Sequence, residues 1–162
     1  MRSRKGNIAD LQELAVIESR CFPPEQAAKE EQIRGRLKHY PQHFLVLCDD
    51  EDRIISFING FVTNIPDLTD EMYQRPEMHT ENGKWQMIFG LDTLPEYRCR
   101  GHAQKLLNEF LSIAKSEGRR GVVLTCKEQL IGFYERFGFV NEGVSDGSVI
   151  GGVKWYQMRR SF

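Results

Sequence analysis

The chain has 162 residues, 40% of them hydrophobic and 28% charged, with a formal net charge of −1 at pH 7. A single core accommodates that length, so one domain over residues 1–162 is expected. The near-neutral charge gives no bulk attraction to nucleic acid or to an anionic membrane, and no apolar run approaches the ~20 residues that span a bilayer.

The elements can be taken in chain order. Basic Met1–Lys5 is followed by no apolar run, so no signal peptide is read there and a cytoplasmic location is expected. Asp10 with Glu13 forms a capping-box pattern ahead of a helix that carries Leu11, Leu14 and Ile17 on one face. Pro23-Pro24 opens a second helical stretch with Ala27, Ile33 and Leu37 among polar residues. Phe44–Cys48 and Ile54–Val62 read as strands joined by the acidic turn Asp49–Arg53. Asn64–Gly83 is a long polar connection with a short helix near Asp67–Tyr73. Trp85–Leu94 reads as the central strand, and Ala103, Leu106, Leu107, Phe110, Ile113 and Ala114 recur at helical spacing over Gln104–Lys115. Val122–Cys126, Phe139–Val144 and Lys154–Arg159 are further strands, with Val149–Gly152 turning a hairpin. Cysteines 21, 48, 99 and 126 and histidines 39, 43, 79 and 102 lack metal-ligand spacing. With Cys126 in an apparent buried strand, reduced thiols and no metal are expected.

Between the central strand and the following helix lies Arg98-Cys99-Arg100-Gly101-His102-Ala103. A strand, a basic glycine-containing turn and a helix N-terminus make an anion site, because successive backbone N–H groups can face one oxyanion. Gly101 permits close approach, small Ala103 leaves the first turn uncrowded, and Arg98 and Arg100 add charge suited to a polyphosphate. The turn lacks the G-x-G-x-x-G of a dinucleotide fold and the Gly-Lys-Ser/Thr of a nucleotide-hydrolysing loop.

Downstream stands Phe133-Tyr134-Glu135-Arg136-Phe137-Gly138-Phe139. Together, R-x-x-G-x-A at Arg98–Ala103 and F-Y-E-R-F-G-F at Phe133–Phe139 resemble the two signature segments of the GNAT-superfamily N-acetyltransferases. The likeness extends over roughly residues 7–162. It is strongest to the arylalkylamine (serotonin-type) branch, through Cys126 set eight residues before Tyr134, the F-Y-E-R-F run, and Ile17–Phe22. The resemblance implies an α/β fold: a mixed, mostly antiparallel sheet, splayed in its middle and flanked by about four helices. The family opens with a clear first strand, whereas Met1–Gly6 is a poor one, expected to be short or missing.

What the resemblance implies for function is specific. Acetyl-CoA is the cosubstrate, with its pyrophosphate on Arg98, Cys99, Arg100, Gly101, His102 and Ala103. Its pantetheine arm pairs with the backbone of Leu91 and Thr93, where Gly90 suits a bulge, and Phe133 belongs to the same set of contacts. Tyr134 occupies the position of the acid that protonates the departing thiolate. The acceptor is a primary amine of a small molecule, and the protein is a monomer or a homodimer.

The general base has no place in the motifs. The arylalkylamine enzymes carry two histidines on the central strand, and the aligned residues here are Met87 and Phe89, neither of which takes a proton. The work falls to water or to a residue outside the motif, with Asp92, Glu18, Glu128 and His79 as candidates. Cys126 could instead carry the acyl group covalently, but a Cys in an apolar strand is ordinarily an inert core group. Phe22, Phe57, Phe61, Trp85, Met87 and Phe89 could wall an acceptor pocket, and Cys21–Gln26 resembles the branch's acceptor loop. Two alternatives remain. One is a protein or peptide amine acetyltransferase, with Glu25, Glu30, Glu31 and Asp67–Glu71 lining an acidic groove. The other is a non-catalytic acetyl-CoA sensor.

Overall fold

The break in the middle of the sheet organises the molecule, as the computed structural model of residues 1–162 shows. The expected strand Trp85–Leu94 divides at Phe89 into β5 (Trp85–Ile88) and β6 (Gly90–Thr93). Its neighbour divides too, into β3 (Ile54–Asn59) and β4 (Val62–Thr63), so a single strand over Ile54–Val62 is corrected. The cause is a close crossing of two backbones. A Cβ on Gly60 would lie 1.8 Å from the Met87 carbonyl oxygen, so only glycine fits. The buried Gln86 amide lies 2.9–3.2 Å from the carbonyls of Gly60, Phe61 and Met87, supplying a donor where the kink would leave acceptors unpaired.

Two sheets result. With β1 (Arg2–Lys5), β2 (Phe44–Cys48), β7 (Gly121–Cys126), β8 (Val140–Val144) and β9 (Tyr156–Ser161), the orders are β1-β2-β3-β6 and β4-β5-β7-β9-β8. Every pairing is antiparallel except β5 with β7. Helix α4 (His102–Ser116) lays Leu106, Leu107, Phe110, Leu111 and Ala114 on a core shared with both sheets. Helices α1 (Leu11–Cys21) and α2 (Glu30–His39) cover the other face through Leu11, Leu14, Ile17, Ile33 and Leu37. Two five-residue helices, α3 (Asp70–Gln74) and α5 (Ile131–Glu135), complete a mixed, mostly antiparallel α/β fold with five helices.

Several boundaries differ from the sequence expectation. The first strand is present: β1 pairs with β2 from Arg2↔Cys48 to Lys5↔Leu45, and Arg4 makes two 2.9 Å bonds to the Asp10 carboxylate. It is a sheet edge, so it needs no apolar alternation. The capping box ahead of α1 is Asn7 with Asp10, one turn before the expected pair, and Glu13 instead accepts the Ile54 N–H. Pro23-Pro24 opens a turn rather than a helix, which leaves Ala27 in the loop before α2. β9 begins two residues late because Trp155 turns back to donate its indole N–H to the Ile150 carbonyl. Val149–Gly152 forms a short 3₁₀ turn inside a longer loop, with Gly151 at φ +71°.

Candidate active site

The turn Arg98–Ala103 closes with Cys99 and Gly101 in left-handed conformations, φ +62° and +82°. Nothing caps α4 from a side chain. Its first helical bond runs from Lys105 N–H to the Gly101 carbonyl, 3.0 Å. The amides of His102, Ala103 and Gln104 precede that bond and have no partner within the helix. A Cβ on Gly101 would meet nothing within 4 Å, so the space beside the turn is open. Burial first, then the charges of Arg100 and Lys105, lower the His102 pKa. A pyrophosphate fits this donor set. The two arginines differ: Arg98 Nε donates to the Thr93 carbonyl at 3.1 Å, whereas Arg100 lies over the Tyr97 ring. Arg98 therefore braces the end of β6 in this structure.

β6 is the free edge of its sheet. Its register with β3, Asp92 opposite Phe57 and the Leu94 N–H on the Ile55 carbonyl, turns those backbone groups inward. By alternation the peptide groups of Leu91 and Thr93 face the open edge. Across the gap stands the C-terminal half of β7. Between these arms lies a cavity of about 670 Å³. Ile88–Leu91 forms one wall and Leu124–Lys127 the other, with Tyr134 between them. The loop after α1, from Cys21 to Lys29, and Ser148, Ile150 and Trp155 from the loop before β9 complete the enclosure.

Tyr134 is 7% exposed, packed edge-on against Phe133 and Phe139, and its hydroxyl makes no hydrogen bond within the protein. Burial, aided by Cys126, Asp92 and Tyr73, pushes its pKa up, so the hydroxyl keeps its proton across the neutral range. Phe133 stands behind Tyr134 with Arg136 over its ring, away from the cavity lining. Burial pushes the Cys126 thiol up to about 11, which leaves it protonated and a poor nucleophile at neutral pH.

Of the four candidate bases, the fold brings two together. Glu18 from α1 lines the cavity, and Asp92 from β6 lies fully buried within hydrogen-bonding reach of it. Glu18 Oε2 accepts the Ala28 N–H at 2.9 Å, whereas neither Asp92 oxygen receives a donor. Burial first, then the charge and hydrogen bond of Glu18, hold the Asp92 carboxyl well above the usual carboxylate range. Arg36, 3% exposed, flanks the pair. It donates to Asn59 Oδ1 and the Tyr73 carbonyl, and its guanidinium lies 5.2 Å from the centre of the Phe89 ring. Arg36 belongs to neither sequence motif. The available signal was a charged residue at the core-facing spacing of α2, between Ile33 and Leu37.

The other two lie elsewhere. Glu128 is exposed at the start of the turn before α5. His79 joins His43 and Arg119 around the Glu81 carboxylate, with contacts of 3.0–3.2 Å. These two histidines and Glu81 are close enough to suggest a metal site. However, His79 Nδ1 accepts the Val62 N–H, so its Nε2 carries the proton donated to Glu81 and has no lone pair for a metal. Hydrogen bonds from Gln42, His43 and His79 overcome partial burial and hold Glu81 at about 2, against 4.5 unperturbed. A depressed pKa stabilises the fold above the unfolded value, and that contribution is lost as pH falls towards 2. Glu81→Gln is therefore expected to lower Tm at pH 7, with the difference from wild type closing by about pH 2 in thermal scans.

The expected aromatic wall is only partly real. Phe22 and Phe89 line the cavity, whereas Phe57, Phe61 and Met87 are wholly core and Trp85 lies under the Arg159 guanidinium. The expected acidic groove dissolves into ion pairs: Glu30 and Glu31 with Arg34, Glu71 with Arg75, Asp67 with Arg159. Only Glu25 and Asp70 of that set line the cavity.

A split sheet with an uncapped helix N-terminus beside the split defines an acyl-CoA-type site. The sequence model described as the acetyltransferase (GNAT) family matches residues 11–139, and the chain belongs to that family. It is 28% identical over 145 residues to serotonin N-acetyltransferase of Mesocricetus auratus, spanning 78% of this chain and 69% of that one. Among solved structures, the GphF GNAT-like decarboxylase in complex with isobutyryl-CoA superposes with a TM-score of 0.85 at 18% identity, covering 99% of both chains. The loading GNATL domain of CurA from Lyngbya majuscula gives a TM-score of 0.83 at 21% identity, covering 99% of this chain and 96% of that one. The protein is an acetyl-CoA-dependent acetyltransferase of the GNAT family.

Proposed function

We propose that the protein transfers an acetyl group from acetyl-CoA directly to the primary amine of a small molecule, both substrates being bound at once. The observation that carries the small-molecule reading is the close approach of two loops beside the cavity. The loop after α1 meets the loop before β9 across its mouth, so closely that a Cβ on Gly151 would lie 2.7 Å from Gln26 Cγ. A peptide acceptor needs an open groove at that place, and most of the acids that could have lined one, Glu30, Glu31, Asp67 and Glu71, are paired at the surface. The cofactor is held at the Arg98–Ala103 turn and along the free edge of Leu91 and Thr93. The acceptor enters from the side of Phe22 and Phe89, against the opposite face of the thioester.

Direct transfer agrees with the state of Cys126, a protonated core thiol, and with Tyr134, a protonated hydroxyl facing the cavity. A sensor would need the cofactor site but not a buried, unbonded hydroxyl beside it. The test is CoA release with a panel of primary alkylamines and arylalkylamines against a panel of short peptides with free N-termini. Turnover with the amines at saturating acetyl-CoA, at least tenfold above the peptides in kcat/KM, is expected. The reverse order would replace the acceptor class, and binding of acetyl-CoA without turnover of either panel would make the protein a sensor.

A further inference from the structure

We infer that Glu18 is the general base of the reaction, taking the proton of the acceptor ammonium, with Asp92 as the positioning residue that donates a hydrogen bond to it. The inference rests on the amine-acetyltransferase reading and supplies the base that Met87 and Phe89 cannot.

The geometry converges on Gly90, the first residue beyond the break in the central strand. A Cβ there would lie 3.1 Å from Asp92 Oδ1 and 3.9 Å from Glu18 Oε1. Glycine thus leaves room for both carboxyl groups at the break, with Glu18 lining the cavity and Asp92 wholly buried. Glu18 lines the cavity while its other oxygen is anchored on the Ala28 N–H, which fixes the orientation of the free one. Asp92 is 1% exposed and both its oxygens lack donors, which a buried carboxylate cannot sustain. A protonated Asp92 resolves this: its hydroxyl donates to Glu18, and the pair shares one proton between two acids. A second buried group beside the pair is unpartnered: Arg36 Nε has no acceptor in the protein.

Titratable and charged groups face the pair from several elements: Cys21 on the helix of Glu18, Tyr73 from α3 and, facing Asp92, Arg36 from α2. Arg36 is the one permanent cation among them.

The steps balance as follows. The ammonium gives one proton to Glu18, and the freed lone pair attacks the acetyl carbonyl carbon. The C–S bond breaks and Tyr134 protonates the thiolate. The nitrogen's surplus proton restores Tyr134, directly or through water, and Glu18 releases its proton to solvent when product leaves. The net change is one amide, one free thiol and one proton.

The test uses 2-phenylethylamine and the full-length protein. Its amine ionises near the lysine value of about 10.4 and is therefore almost fully protonated at pH 7. Wild-type kcat/KM is expected to vary little between pH 7 and 9. Glu18→Gln should lower it by about 10²–10⁴-fold at pH 7, leave the acetyl-CoA Kd unchanged, and restore a slope near tenfold per pH unit as free amine accumulates. A purely structural role would lower the rate without steepening the slope. Asp92→Asn, which still donates, should keep the flat profile, and Asp92→Leu, which cannot, should move the acid limb to higher pH. This pair stands independently if Glu18→Gln does not fold. A Glu18→Gln enzyme with wild-type rate and profile, or an Asp92→Leu enzyme with a wild-type profile, overturns the assignment while leaving the acetyltransferase reading intact. A wild-type protein inactive on every amine overturns that reading instead.

Discussion

Replacing Tyr134 by Phe is expected to lower kcat by about 10²–10⁴-fold while the acetyl-CoA Kd and Tm hold near wild type. The size follows from the role proposed for the hydroxyl, protonation of the departing thiolate. A free thiol ionises near 8.5 and a phenol near 10, so a tyrosine beside the leaving sulfur can hold a proton at pH 7 and part with it as the C–S bond breaks. Burial and the neighbouring Cys126, Asp92 and Tyr73 raise the Tyr134 value further, so the donor form persists throughout the neutral range. The constancy of Tm follows from the resting structure. The hydroxyl has no partner inside the protein, so its removal leaves no buried acceptor unpaired, and the ring keeps its packing against Phe133 and Phe139. Single-turnover measurement of CoA release separates chemistry from product departure. A variant with wild-type kcat would show that the thiolate leaves unaided or finds its proton elsewhere.

The two motifs were legible because each is local. The proposed anion turn is six consecutive residues, and Tyr134 sits inside an unbroken run of seven. Strands such as β2 and β7 were legible for a similar reason, as short apolar runs between turn signals. The break at Phe89 was legible only through the family resemblance. Within Trp85–Leu94 only Gly90 hints at it, because its cause lies at Gly60, between β3 and β4, where a side chain would strike the Met87 carbonyl. β1 was underestimated because an edge strand draws its stability from β2 and from the Arg4–Asp10 pair, not from its own pattern. The carboxylate pair was half legible. Glu18 and Asp92 were both named, but so were Glu128 and His79, and 74 positions separate the two that meet. Only the register of β6 on β3 and the seating of α1 on both bring them together. Arg36 shows the complementary case: a buried cation concealed in an amphipathic helix whose polar residues are mostly solvated.

Gly101→Glu is expected to raise the acetyl-CoA Kd by at least ~10-fold, since one lost or repulsive contact of ~1.4 kcal/mol suffices. The position separates folding from binding unusually well. A Cβ on Gly101 meets nothing within 4 Å, so the added side chain displaces no part of the protein. Its φ of +82° carries a backbone cost for any L-residue of about 1–2 kcal/mol, and that cost falls on stability. Gly101→Ala shares this strain and lacks the charge, which makes it the control. What Glu adds beyond Ala is a carboxylate in the space beside the His102, Ala103 and Gln104 amides, where it competes for the donors and repels an anion. The expected order of Kd is therefore wild type, then Ala, then Glu, with the gap between Ala and Glu narrowing as salt rises because the repulsion is screened. Titration calorimetry on both variants at low and high ionic strength reads all of this. A folded Glu variant with wild-type affinity would mean that the pyrophosphate does not lie at the N-terminus of α4.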